Sequence, residues 1–186
     1  MTSVREKWNR RYADKSGALS SIPVALELGW SSLKPGSVLD LASGDGGSAV
    51  FLARQGFAVT AVDIAEEGLK RLDACAQAEQ LSIRTVQFDL DATASLAALG
   101  QYDNIVINRF RPTPALFLCL PALLTRGGRL MLNSFNLQQH KEKGFSERFC
   151  LKPEEYLGLS ADLSLQYYRS EQRDGDFMDE YLFIKT

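Results

Sequence analysis

At 186 residues the chain is long enough for one domain with a sizeable core and too short for two ordinary ones. Its 45% hydrophobic and 24% charged residues include no run of eighteen apolar positions, which excludes a helix crossing a membrane, and a net charge of −2 offers no basic field to a nucleic-acid backbone. Cys75, Cys119 and Cys150 are widely spaced with no CxxC pair, which excludes a disulfide framework and a cysteine-held zinc; with a charged N-terminus lacking a signal-peptide core, a cytoplasmic protein without metal is expected.

The expected elements alternate along the chain. Ser3 and Glu6 have capping-box spacing, opening a helix that reaches about Asp14 with Val4, Trp8, Arg11 and Tyr12 on one face. A second helix starts near Pro23 and ends before Lys34-Pro35-Gly36. Strands are predicted at Ser37–Leu41, Ala58–Asp63, Ile83–Phe88, Asn104–Asn108 and Arg129–Phe135, the first four almost continuously apolar, as parallel strands buried on both faces are. Between them lie helical stretches at Gly47–Gln55, Glu66–Gln80, Thr93–Leu99 and Pro114–Leu124, the last tightened at Pro121. After Phe135 a polar segment leads to a short helix from Pro153 and then to "LSLQYYRS" and "DEYLFIKT", read as a hairpin across the turn-rich "EQRDGDF". The expected fold class is α/β: a doubly wound, mostly parallel seven-stranded sheet with helices on both faces and a C-terminal antiparallel hairpin. Residues 1–186 read as a single domain, in which residues 1–34 cover a pocket on a core formed by residues 35–186.

In such a sheet ligands bind beyond the carboxyl ends of the strands, and "VLDLASGDGGSAVFLA" places a glycine-rich strand-to-helix turn there. Gly44 and Gly46 permit close approach of a ligand, and Gly47 opens a helix with free N–H groups. Gly44-x-Gly46-x-x-Ala49 satisfies the loose dinucleotide pattern, but a pyrophosphate would meet Asp40 and Asp45; like charges ~4 Å apart repel by about 4 kcal/mol at an effective dielectric near 20. A ligand carrying an ammonium and a sulfonium suits the acidic turn better. The second strand ends in Asp63, positioned for both hydroxyls of a ribose, and the third in Asp89, near an adenine amino group, with Leu90 as an apolar ring contact. The fourth ends in Asn108, facing the sulfur end of the crevice.

These residues resemble a known family. The stretch from Val38 to Leu72 is similar to motif I through the acidic second strand of the Rossmann-like S-adenosylmethionine-dependent methyltransferases, and "WNRRYA" resembles the tellurite-resistance and thiopurine methyltransferase-like branch. "YDNIVINRF" and "RPTPALFLCLPALLTRGGRLMLNSF" resemble the fourth strand, helix, turn and fifth strand of that superfamily, with Arg126 in place of a proline. The likeness covers nearly the whole chain. It implies S-adenosylmethionine as cofactor, S-adenosylhomocysteine as product, and a cofactor site of Asp40, Ala42, Ser43, Gly44, Gly46, Asp63, Ile64, Asp89, Leu90 and Asn108. Ala42 stands where the family has its first glycine, which is compatible with the motif if residue 42 keeps φ negative.

Methyl transfer from a sulfonium needs alignment and exclusion of water more than a dedicated acid or base, so no catalytic residue is assigned. The chain reads Asn108-Arg109-Phe110-Arg111-Pro112 where amine methyltransferases acting on DNA and protein carry Asn/Asp-Pro-Pro-aromatic, which points to a small-molecule acceptor. Arg109 and Arg111, with Arg10 or Arg11, would welcome an anionic one, and Tyr12 reads as a lid residue while Trp8 docks its helix. His140 receives no role. A monomer or dimer is expected, with no nucleic-acid or membrane partner. Two other readings stay open: a sensor that binds S-adenosylmethionine or a nucleoside without turnover, and a nicotinamide oxidoreductase. The latter has only Tyr181-x-x-x-Lys185, whose side chains in a strand stand about 13 Å apart by strand rise.

Overall fold

The computed structural model describes residues 3–186. Helix α1 (Val4–Ala13) carries the expected capping box, Ser3 accepting from the Glu6 amide while the Glu6 carboxylate accepts from the Ser3 amide. Helix α2 (Val24–Gly29) passes into a 3₁₀ turn at Trp30–Ser32. Then β1 (Ser37–Leu41), α3 (Gly47–Arg54), β2 (Ala58–Asp63), α4 (Glu66–Ala78), β3 (Ile83–Gln87) and β4 (Tyr102–Asn108) follow in the expected alternation. The connection before β4 is a 3₁₀ helix, Thr93–Leu99. Helix α5 (Pro114–Cys119) starts at a Thr113 cap and tightens into a 3₁₀ turn, Leu120–Leu123, where Pro121 lacks the amide an α-helix would use. Strand β5 (Leu124–Phe135) leads on to helix α6 (Leu137–Lys143), and the antiparallel strands β6 (Leu163–Arg173) and β7 (Asp176–Lys185) end the chain.

Seven strands form one sheet in the order β3-β2-β1-β4-β5-β7-β6, parallel except for the pairings of β7 with β5 and with β6. Strand β5 starts five residues before the expected Arg129 and β4 two before Asn104, and three further features differ from the sequence reading. The polar segment after Phe135 contains α6, capped by the Asn136 side chain on the Gln138 amide and stopped by Gly144 in the left-handed region. No helix forms after Pro153; that segment is a run of turns whose buried member, Tyr156, hydrogen-bonds the Pro112 carbonyl at 2.7 Å. The hairpin strands are also longer than expected, because Asp174 and Gly175 alone make the connection, at φ 48° and 83°, a two-residue turn whose twist suits a hairpin.

Alternation along β1 divides the core. Leu39 and Leu41 join Phe117, Tyr156 and Tyr181 on one face of the sheet, while Val38 joins Leu26, Val50, Val106 and Met131 on the other. Asp40 pairs in register with Val106 and so shares the face of Val38, toward α2 and α3. The central strands are buried and mostly apolar, and Asp63 and Asn108 stand at the ends of β2 and β4.

Candidate cofactor site

The glycine turn is pinned by backbone bonds. The Ser43 amide donates to the Val62 carbonyl and the Gly46 amide to the Ser43 carbonyl, each at 3.0 Å. Asp63, at the end of β2, accepts from the Gly44 amide through Oδ2 and from the Ala65 amide through Oδ1, both at 2.8 Å. Its carboxylate thus joins the turn to β2. Burial raises its pKa, opposed by these amides. Gly46, at φ 84°, has Leu72 of α4 pressed against the space a Cβ would take. Gly44, at φ 60°, is capped in the same way by the Tyr12 hydroxyl of α1.

Ala42 corrects one expectation. Its φ is +57°, so this position is left-handed and the alanine is strained where the family's glycine is not. Ala42→Gly is expected to raise stability by about 1 kcal/mol, measured as a higher urea midpoint at unchanged m-value. A lower midpoint would show that the turn relaxes around the methyl group.

The charge of the turn also differs from the sequence reading. Asp45 faces Lys15, at 2.5 Å, and accepts from the Ser20 amide at 3.0 Å, with Arg71 Nε 3.6 Å away. Burial works against its ionisation, but the hydrogen bonds from Lys15 and Ser20 outweigh it and hold the carboxyl below its usual range. Its charge is spent within the protein. Asp40, only 1% exposed, has its pKa pushed up to about 8 by burial and by Asp63, and so carries a proton at neutral pH. Two fixed negative charges therefore do not face a ligand, and repulsion of a pyrophosphate is not what selects the cofactor.

Unmet hydrogen bonds are more informative. Asp40 Oδ2, Ser43 Oγ and Asn108 Oδ1 are buried around the turn without partners, while Asn108 Nδ2 donates to Ser48 Oγ at 3.2 Å. Three buried polar oxygens without partners beside the glycine turn fit a ligand that carries several donors, such as an ammonium. Further along, a cavity of about 510 Å³ lies at the ends of β2 and β3, lined by Ile64, Phe88, Asp89 and the first turn of α1. Leu90 is buried in the core with Leu41 and Val62 and does not line this cavity, and exposed Asp89 accepts from the Asp91 amide at 3.0 Å. The strand ends thus offer a ligand two features, the unpartnered oxygens beside the glycine turn and the cavity bounded by Ile64 and Phe88.

The sequence profile of the tellurite resistance protein TehB family matches residues 11–110, more than half of the chain. The chain belongs to the TehB family.

It is an S-adenosylmethionine-dependent methyltransferase of that family, with the sheet order and C-terminal antiparallel strands of the class I methyltransferase fold. TehB from Haemophilus influenzae superposes with a TM-score of 0.73 at 18% identity, covering 98% of this chain and 67% of that one. Magnesium protoporphyrin IX methyltransferase from Synechocystis PCC 6803, solved with bound S-adenosylhomocysteine, gives 0.73 at 20% identity and covers 98% of both chains. A protein solved in a study of the conversion of a disulfide into a thioacetal in echinomycin biosynthesis gives 0.76 at 15% identity, covering 98% of this chain and 92% of that one. At these identities the likeness concerns the fold. No curated protein matches the sequence.

The remaining candidates separate in this TehB-family chain. Arg111 gives its guanidinium to Glu155 at 2.8–3.0 Å and to the Arg148 carbonyl, so it braces the β4–α5 connection. Arg109, exposed and at φ 53°, leans on the Ser21 carbonyl and hydroxyl at 3.2–3.4 Å. Tyr12 stacks on Trp8, and burial, then Asp63 and Asp45, raise its pKa. His140, in the last turn of α6, has Nδ1 2.7 Å from the Phe145 carbonyl just beyond the helix. Tyr181 packs among Tyr156, Tyr168 and Phe183, and Lys185 bonds the Leu124 carbonyl, which leaves that pair no part in hydride transfer. Sequence reasoning missed Asn133 and Glu180, polar residues buried on β5 and β7; the "MLNSF" and "MDEYLF" runs held the signal, a polar residue at an inward position of an apolar strand.

Proposed function

We propose that this protein binds S-adenosylmethionine across the glycine turn and transfers its methyl group to a small-molecule acceptor. The observation that carries this reading is the set of three buried acceptors, on Asp40, Ser43 and Asn108, left without donors. An amino acid ammonium supplies three donors to such a set, and the Asp40 carboxyl, ionising as the cation arrives, supplies the compensating charge. Asp63 then uses its remaining lone pairs for ribose hydroxyls, Ile64 bounds the adenine, and Asp89 accepts from its amino group. Tyr12 covers the turn and keeps water from the sulfonium.

The bond from sulfur to the methyl carbon breaks as the acceptor's lone pair bonds that carbon from the opposite side; the acceptor's proton passes to solvent. The protein's part is to align donor and acceptor. Calorimetric titration with S-adenosylmethionine, S-adenosylhomocysteine and NAD in parallel tests the reading. Micromolar binding of the first two and none of the third is expected; binding of NAD alone would overturn it.

A further inference from the structure

A second cavity, of about 280 Å³, lies where β4 and β5 end and β7 begins, beneath the segment joining α1 to α2. Its walls include Ser21, Pro23, Arg109, Asn133, Arg173 and Glu180. Asn108 pairs in register with Asn133, and Asn133 with Glu180, so three polar side chains stand side by side on one face of the sheet. Apolar residues fill that face one step earlier, at Val106, Met131 and Leu182.

Asn133 and Glu180 are 1% and 3% exposed, and Asn133 Oδ1 and Glu180 Oε1 have no hydrogen-bond partner. Arg173 Nε is 3.1 Å from Glu180 Oε1, but out of hydrogen-bond alignment, and its guanidinium also serves Glu171. Two buried acceptors aimed at one small cavity are costly unless a ligand supplies donors. Arg109 adds a positive charge to the same lining: its amide donates to the Asn133 carbonyl at 2.8 Å, while its guanidinium bonds only Ser21 and makes no ion pair among the described residues.

We propose that this cavity is the methyl-acceptor site and takes a small two-ended molecule, a carboxylate at one end against Arg109 and an amine, hydroxyl or thiol at the other against Asn133 and Glu180. This rests on the methyltransferase reading and deepens it. The arginine fork matches a carboxylate in a two-pronged geometry, and the donor end falls one strand spacing, about 4.8 Å, from the Asn108 row that borders the cofactor. The volume equals about nine waters' share of liquid, which admits an amino-acid-sized acceptor.

Calorimetry on the full chain saturated with S-adenosylhomocysteine tests this with β-alanine and cysteine as two-ended probes, propylamine and propionate as single-ended ones, and selenite as a compact oxyanion without a separate second end. The two-ended probes are expected to bind at least tenfold more tightly than the others. Arg109→Gln, at an exposed position, is expected to remove that preference while S-adenosylhomocysteine still binds, and Glu180→Gln to weaken the donor-bearing probes alone. Equal binding of propionate or selenite, no binding of the two-ended probes, or no effect of Arg109→Gln would overturn the acceptor assignment. Failure of S-adenosylhomocysteine itself to bind would instead overturn the methyltransferase reading.

Discussion

Asp40→Asn is expected to bind S-adenosylmethionine ten- to a hundredfold more weakly than the unchanged protein at pH 8.5, and to close most of that gap at pH 6.5. The loss corresponds to a charged hydrogen bond of about 1.5–3 kcal/mol. Below about pH 8 the Asp40 carboxyl holds a proton in the free protein, and binding a cation must first expel it, at about 1.4 kcal/mol per pH unit. Affinity of the unchanged protein therefore climbs with pH and levels off above 8, while that of the variant lacks this climb. Taking the ratio of the two affinities cancels any titration of the ligand itself. A constant ratio from pH 6.5 to 8.5 would remove Asp40 from the cation site.

The same residue links the site to stability. Folded protein keeps the Asp40 proton up to about pH 8, whereas the unfolded chain releases it near 3.8, so the folded state binds more protons between those values. Stability then falls as pH rises through that window, by up to about 1.4 kcal/mol per unit. Asp40→Asn carries no such loss and should melt higher than the unchanged protein at pH 8, with the difference shrinking toward pH 5. A gain in stability paired with a loss of binding is the signature of a buried carboxyl kept for a ligand.

Asp63→Ala is expected to lower stability by about 2–4 kcal/mol and cofactor affinity by ten- to a hundredfold together. The Gly44 and Ala65 amides are both buried against this carboxylate, and leaving each donor unmet costs about 1–3 kcal/mol. Loss of the anchor also frees the turn proposed to carry the cofactor, so urea unfolding and titration with S-adenosylhomocysteine should move in the same sense. Asp63→Asn retains one acceptor and should fall between. Unchanged stability in Asp63→Ala would mean that the turn is held by its own backbone bonds; unchanged affinity would remove Asp63 from the ribose.

Legibility followed the range of the forces involved. Apolar runs bounded by turns located β1, β2, β4 and β5, because a strand buried on both faces has little freedom of composition, while the edge strands β3 and β6 have few or no buried residues. The helix after Phe135 was hidden because only short polar caps mark it, and the run after Pro153 imitated a helix while its one large buried residue, Tyr156, answers to the Pro112 carbonyl far away in sequence. Ala42 shows the limit for the motif itself. Spacing identifies the position, whereas the sign of φ depends on how β1 meets the turn.

By itself the sequence determined the class of the protein. The order of strands and helices, the glycine turn after the first strand and the acidic ends of the next two follow from local pattern, and a parallel sheet with right-handed crossovers brings those ends to one edge. Only the tertiary structure decided which carboxylates face a ligand. Lys15 and Arg71 neutralise Asp45, Glu155 occupies Arg111, and burial keeps a proton on Asp40, none of which sequence separation reveals. Cross-strand register then placed Asn133 and Glu180 beside Asn108. Charge and hydrogen bonding act between neighbours in space, and those neighbours exist only once the sheet is assembled.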